Sequence, residues 1–313
     1  FFFHPQAAIR DSVASRGLGD VYKRQQSGDM EPIREFVVRA ETLNYDSLWM
    51  AEGIISAEFN IEPISLLSYV AAMTSRLRLG VAVMRLTLRN PIQLAKAAAS
   101  LDYMSDGRFD MGIGMGHGTE AIFGYAREGR VARFEESLAV MRALWTQPQA
   151  SFSGKNWNFE NIAVRPRPVQ QPHPPVWFGA RHPNAIRRAA RLGYAFMGQG
   201  SCSFEEVKNH FSLLFQYLEE EGRDPASFPV SKRVYLIVDD NKARGERHIR
   251  KFFSRIYNNA DLGPQVCLWG GRQECLDRLG EIVQAGAKHL LLDPLANERE
   301  HLELLSEEIV PYL

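Results

Sequence analysis

The 313-residue chain carries no excess of either charge, with 37 lysines and arginines against 37 aspartates and glutamates. Nucleic-acid binders carry a basic excess, so neither DNA nor RNA is expected as its main partner. Cysteine is scarce: Cys202, Cys267 and Cys275 form no C-x-x-C pair and leave one over. This argues against a disulfide scaffold and a cysteine zinc site, and points to a reducing, cytoplasmic setting. No apolar run approaches the ~18 residues of a membrane helix, so no membrane span is expected. The eight histidines include no H-E-x-x-H and no His/Cys cluster, so no metal site is expected. A G-x-S-x-G nucleophile elbow and a P-loop are missing too. What remains is an ordinary globular composition, 45% hydrophobic and 24% charged, which argues against disorder.

The run Asp11–Gln25, DSVASRGLGDVYKRQ, shows neither helical nor strand periodicity and resembles translated sequencing-adapter text. Residues 1–25 are therefore expected to be a non-native segment standing where a first strand belongs. From Gly28 onward the pattern is regular. Apolar residues at Ile33, Phe36, Val37, Ala40 and Leu43 have helical spacing, and the short apolar run Ser47–Ala51 reads as a strand. Further strands are expected at Leu77–Met84, Phe109–Met115, Val176–Ala180, Tyr194–Gly198, Arg233–Asp239 and Lys288–Asp293, with helices between them. Asn90-Pro91 suits a helix start, and Ser203 with Glu206 suits a capping box. Seven strand-plus-helix units preceded by a helix without its strand imply a (β/α)8 TIM barrel over residues 26–313. A doubly wound open sheet is the alternative, although no glycine fingerprint follows the first strand read. The long 117–175 connection holds a helix near Arg133–Trp145, the segment SFSGKNWNF and the proline-rich VRPRPVQQPHPP. The prolines favour an extended surface path over an SH3-type ligand, because they lie in mid-domain.

Barrel chemistry collects where strands end, which directs attention to Glu52, Arg85, the Gly116–Thr119 turn, the 179–184 loop and Gln199. Gly112, Gly114, Gly116 and Gly118 alternate through and beyond the fourth strand, leaving one face bare. That face admits a flat ring or another backbone, or it marks a barrel-corner bend. The loop Arg181-His182-Pro183-Asn184-Ala185 opens a helix and is an anion-site candidate, unless Asn184 or His182 simply caps the helix. His117 stands at a strand top, where it could shuttle a proton or be structural, while His289 begins a strand and is expected to be structural. Glu52 could be a base or an ordinary rim residue. A phosphosugar isomerase or lyase would use the same anion loop, with Glu52, Asp239 or Asp293 as its base.

RLRLGVAVMRLTLRNPIQLAKAAASLDYMSDGRFDMGIGMG, from Arg76 to Gly116, resembles the luciferase-like flavin oxidoreductases in one region of their barrel. It is similar to that family's third strand, N-P helix, L-D-x-x-S-x-G-R turn (Leu101, Asp102, Ser105, Gly107, Arg108) and fourth strand. Pro168–Gly179 and Gly286–Asp293 continue the likeness in order. The resemblance implies a barrel holding reduced FMN or coenzyme F420 in its mouth, with its phosphate at Arg181, His182, Asn184 and Ala185. The cofactor residues it implies also include Arg85, Gly114, Met115, Gly116, Gly179, Ala180 and Gln199, with His117 and Glu52 as catalytic candidates. It further implies a small organic substrate, a homodimer and, for monooxygenation, a flavin reductase supplying reduced flavin. The leading expectation is a monooxygenase; F420-dependent hydride transfer and a non-catalytic flavin-binding protein are the alternatives. Where members often carry a histidine after the second strand, this chain has Glu52-Gly53-Ile54, and Met115 stands where bacterial luciferase has a phosphate-binding arginine.

Overall fold

A computed structural model describes residues 13–15 (backbone), 30–55, 60–116 and 120–313. His117, Gly118 and Thr119 lie outside the described residues, as does the rest of the 1–25 segment. The strands are β1 (Val13–Ser15), β2 (Ser47–Met50), β3 (Arg78–Arg85), β4 (Phe109–Gly114), β5 (Ala150–Ser153), β6 (Asn158–Ile162), β7 (Val176–Gly179), β8 (Ala195–Gly198), β9 (Val230–Val238), β10 (Leu268–Gly270) and β11 (His289–Pro294). The main sheet has the order β10-β9-β11-β1-β2-β3-β4-β7-β8 and β8 also pairs with β9, so the expected parallel (β/α)8 barrel is the fold. The slot for a first strand is filled by three residues of the adapter-like run: Val13–Ser15 pair in parallel with Leu290–Leu292 and with Ser47 and Leu48. Backbone partners on both sides suffice for this, without side-chain periodicity.

The helices are α1 (Glu31–Thr42), α2 (Pro63–Met73), α3 (Pro91–Met104), α4 (Arg130–Thr146), α5 (Pro183–Leu192), α6 (Phe204–Glu220), α7 (Lys242–Tyr257), α8 (Gly263–Val266), α9 (Arg272–Gln284) and α10 (Glu298–Leu304). Their starts follow the sequence chemistry. The Asn90 side chain accepts from the amides of Ile92 and Gln93, and Ser203 and Glu206 form a complete capping box. Besides β1, three strands escape the sequence reading. Strands β5 and β6 form an antiparallel hairpin inside SFSGKNWNF and its flanks, with Phe152 and Phe159 stacked at 6.0 Å. The carboxylate of Glu136 accepts from the amides of Asn156 and Trp157 and pins the hairpin turn. Strand β10 has only three residues and pairs with the end of β9.

The chain divides into two compact units, residues 50–55 with 61–178, and residues 1–49 with 56–60 and 179–313. In the 50–178 unit the L-D-x-x-S-x-G-R turn is scaffolding. Asp102 is fully buried and accepts from the amides of Val169 and Gln170 and from the Gln170 side chain. Arg108 donates to the carbonyls of Ala71, Thr74, Leu77 and Ser105, closing the end of α2 and the turn before β4. Gly107 has φ +75°, which a glycine adopts without penalty. In the other unit, His289 is buried between the hydroxyls of Ser47 (3.2 Å) and Ser231 (2.9 Å), which bears out its structural reading.

Candidate functional site

The 50–178 unit contributes the strand ends after β2, β3 and β4. Strand β3 pairs with β4 up to Val81–Met111 and resumes at Met84–Ile113, so a bulge in β3 stands opposite Gly112. The peptide inside the bulge, Ala82–Val83, is cis. A Cβ on Gly112 would fall inside the carbonyl oxygen of Val81. Of the alternatives open for this bare strand face, a neighbouring backbone occupies it at Gly112. Farther along, Gly116 adopts φ +66°, and a Cβ there would sit 2.5 Å from Cδ of Arg85. The Arg85 stem therefore lies against Gly116, while Thr87 donates to the carbonyl of Met115 at 2.7 Å.

The Glu52 carboxylate is buried and paired. Its side chain has no exposed area. One carboxylate oxygen accepts from the Arg85 amide at 2.6 Å and the Arg85 guanidinium at 3.4 Å. The other accepts from Arg89 at 2.7 Å, and Arg89 reaches on to Glu62 at 3.0 Å. A buried carboxylate shared by two guanidiniums is a clamp that fixes where Arg85 and Arg89 point. Both oxygens of Glu52 are thus bonded to these two arginines.

In the other unit, the loop after β7 leads from Gly179 and the buried Ala180 to Arg181, His182 and the start of α5. His182 is the N-cap: its ring Nδ1 accepts from the Asn184 amide at 3.2 Å, and its carbonyl accepts from the Ala185 amide at 2.8 Å. The capping alternative thus holds for these amides, which are taken within the chain. Arg181 is half exposed and pairs with Glu206 at 2.7 Å. Arg187, half exposed on α5, lies over the Tyr217 ring at 4.2 Å and pairs with Glu220.

Sequence reading missed a buried polar group on β9. Arg233 pairs with Asp293 of β11 at 2.8 Å and lies 4.3 Å from the Tyr235 ring centroid. The Tyr235 hydroxyl meets that of Tyr257 at 2.7 Å. Alternation along the strand puts Arg233, Tyr235 and Ile237 on one face, where Ile249 and Phe253 of α7 pack against Tyr235 and Ile237. Burial pushes the Asp293 carboxyl up against the pull of Arg233 and raises Tyr235 well above its ordinary value. The opposite face of β9 carries Lys232, whose ammonium donates to the carbonyls of Gln199 and Arg233. Burial lowers its pKa to about 8. The arginine and lysine were legible as letters in a strand, but the part-burial of Arg233 rests on Asp293 and the burial of Lys232 on a neighbouring strand end, neither of which the local text shows.

His301 lends this unit a pH dependence. Its Nε2 accepts from the Val238 amide at 3.1 Å, so Nδ1, 3.2 Å from the Asn297 carbonyl, carries the proton. Burial holds its pKa below the ordinary value despite that carbonyl, and burial likewise lowers His173 and His210. A depressed folded-state pKa means that the unfolded chain takes up protons more readily. The resulting stability is complete above about pH 6.5 and drains away as pH falls through the folded-state values. We expect the urea midpoint to fall between pH 7.5 and 5.5, and His301→Gln to flatten part of that slope. A midpoint independent of pH over that interval would contradict the assignment.

Among the described residues no helix is long and apolar enough to cross a membrane, and no group of three metal-ligating side chains occurs. The chain is 30% identical over 231 residues to the F420-dependent glucose-6-phosphate dehydrogenase of Kineococcus radiotolerans, a match covering 70% of this chain and 67% of that protein. It spans only about half the length of another curated relative that it matches. Among solved structures it resembles an F420-dependent secondary alcohol dehydrogenase in complex with an F420-acetone adduct, with TM-score 0.83, 17% identity and coverage of 96% and 98%. It also resembles the oxygenating constituent of 3,6-diketocamphane monooxygenase from Pseudomonas putida in complex with FMN, with TM-score 0.73, 18% identity and coverage of 90% and 92%. At such identities the structural likeness shows the fold alone. The family model described as luciferase-like monooxygenase matches residues 13–262, and the chain belongs to that family of oxidoreductases.

Proposed function

We propose that the chain is an oxidoreductase that uses coenzyme F420 to transfer a hydride to or from a small hydroxyl- or carbonyl-bearing substrate. The observation that carries this reading is the 30% identity, over most of the chain, with an F420-dependent dehydrogenase. The donor set at the strand ends suits a phosphate-bearing ligand. In the 179–313 unit Arg181, His182 and Asn184 are exposed, and the amides of Asn184 and Ala185 are already bonded. The phosphate end would be held there by side chains, chiefly Arg181, beside Gly179, Ala180 and Gln199. In the 50–178 unit Gly114, Met115, Gly116 and the clamped Arg85 are the proposed contacts. When bound, the deazaflavin supplies a two-electron hydride carrier. Arg85 orients the ligand, Glu52 holds Arg85, and His117 is the proposed proton carrier.

Equilibrium dialysis against F420 and, separately, FMN tests the proposal. F420 is expected to be retained, and its absorbance to be lost with an alcohol substrate. Arg181→Ala should weaken retention about tenfold, the worth of one charge-assisted contact. Failure to retain F420 overturns the reading. The family description favours a second reading, monooxygenation with reduced FMN delivered by a flavin reductase to a homodimer. Oxygen uptake with reduced FMN and no turnover with F420 would select it.

A further inference from the structure

Lys232 is 3% exposed. Two of the three donors of its ammonium go to backbone carbonyls. No carboxylate among the described residues lies within ion-pairing distance of it. Lys232 lines a cavity of about 40 Å³ together with Cys202, Gln265, Cys267, Arg278 and several apolar side chains. Its wall therefore holds two cationic side chains, an amide and two thiols, and no acidic residue. Neither thiol supplies the missing negative charge, because burial raises both Cys202 and Cys267 and keeps them protonated. Glu206 acts on Lys232 only from a distance and is paired with Arg181. Arg278 sits at the rim, over the Phe204 ring at 4.5 Å and 3.4 Å from Glu281.

A buried cation without a counter-charge is costly, and a cavity of this size with polar groups in its wall has room for more than one water molecule. We propose that the cavity binds a single small monovalent anion, of the halide class, against the Lys232 ammonium. The anion takes the third ammonium hydrogen and accepts weak bonds from the thiols, with the Arg278 guanidinium and the Gln265 amide at its periphery. The volume admits an ion of a few atoms and excludes a phosphate ester. One ion would join three segments of the chain: the turn after β8, strand β9 and the residues leading into β10. The site lies on the face of β9 opposite Arg233 and Tyr235, and it adjoins the proposed cofactor loop through the bond from Lys232 to the Gln199 carbonyl.

The test compares melting temperature in potassium chloride and potassium gluconate at equal ionic strength, in the full chain. Saturating chloride is expected to raise the melting temperature by about 3 °C through ligand linkage. Lys232→Met should melt at one temperature in both salts, and Arg278→Gln, at an exposed position, should shift the chloride dependence to higher concentration. Crystals soaked in bromide should show an anomalous peak within hydrogen-bonding distance of Nζ. This measurement needs no variant and stands if Lys232→Met fails to fold. Equal wild-type melting in the two salts, or a bromide-soaked cavity without an anomalous peak, overturns the proposal. Retention of F420 by the unaltered chain is read separately, by dialysis, so failure of either proposal is distinguished from failure of the other.

Discussion

Gly112→Ala is expected to leave no cooperatively folded protein. The methyl group would occupy the space of the Val81 carbonyl oxygen, a backbone atom of the adjoining strand that no rotamer change can move. Ordinary overpacking costs roughly 1–3 kcal/mol where side chains can yield. Here β3 and β4 would have to part at the bulge, so a loss on the order of 4 kcal/mol or more is expected. Gly280→Ala is the control. That glycine lies inside α9 with nothing within 4 Å of an added Cβ, so alanine should stabilise by about 0.5–1 kcal/mol. Urea titration should therefore show no native transition for Gly112→Ala and a raised midpoint for Gly280→Ala. A native midpoint for Gly112→Ala would show that β3 does not lean on β4 as described.

Glu52→Gln should cost about 3 kcal/mol, the scale for removing one member of a buried ion pair. Arg85 and Arg89 are about one-fifth exposed and would keep their charges beside a neutral amide. The amide oxygen can still accept one of the present bonds, but the second position would set a donor against a guanidinium. The loss should appear as a lower urea midpoint with an unchanged slope. Glu52→Asp, with its charge retained on a shorter stem, should recover part of it. If Glu52→Gln unfolds at the native midpoint, Arg85 and Arg89 are held by something else, and the positioning role of Glu52 fails.

What could be read from the sequence follows the range of the interactions. Asn90-Pro91 and the Ser203/Glu206 box announce helix starts because each acts on amides two or three residues away. His289 was placed correctly because a histidine at a strand's first residue lies at the end away from the chemistry. Strand β10 was missed because three residues carry no period, and the hairpin because its closing turn is held by Glu136 of α4. At the site, Glu52 was legible as a strand-end carboxylate. Its function was not, since the arginines that claim it stand 33 and 37 residues farther on. Arg233 likewise looks like a surface residue until Asp293, 60 residues away, is brought beside it.

The hydrogen bonds of Arg108 to four backbone carbonyls and the Thr74 hydroxyl, with the hold of Asp102 on Val169 and Gln170, carry a lesson for classifying such chains. The text that makes the kinship easiest to spot is joinery. Selection on it would preserve architecture whatever reaction the other end of the barrel performs. Sorting relatives by that stretch will group them by carpentry, and only the residues at the opposite rim can tell a reductase from an oxygenase.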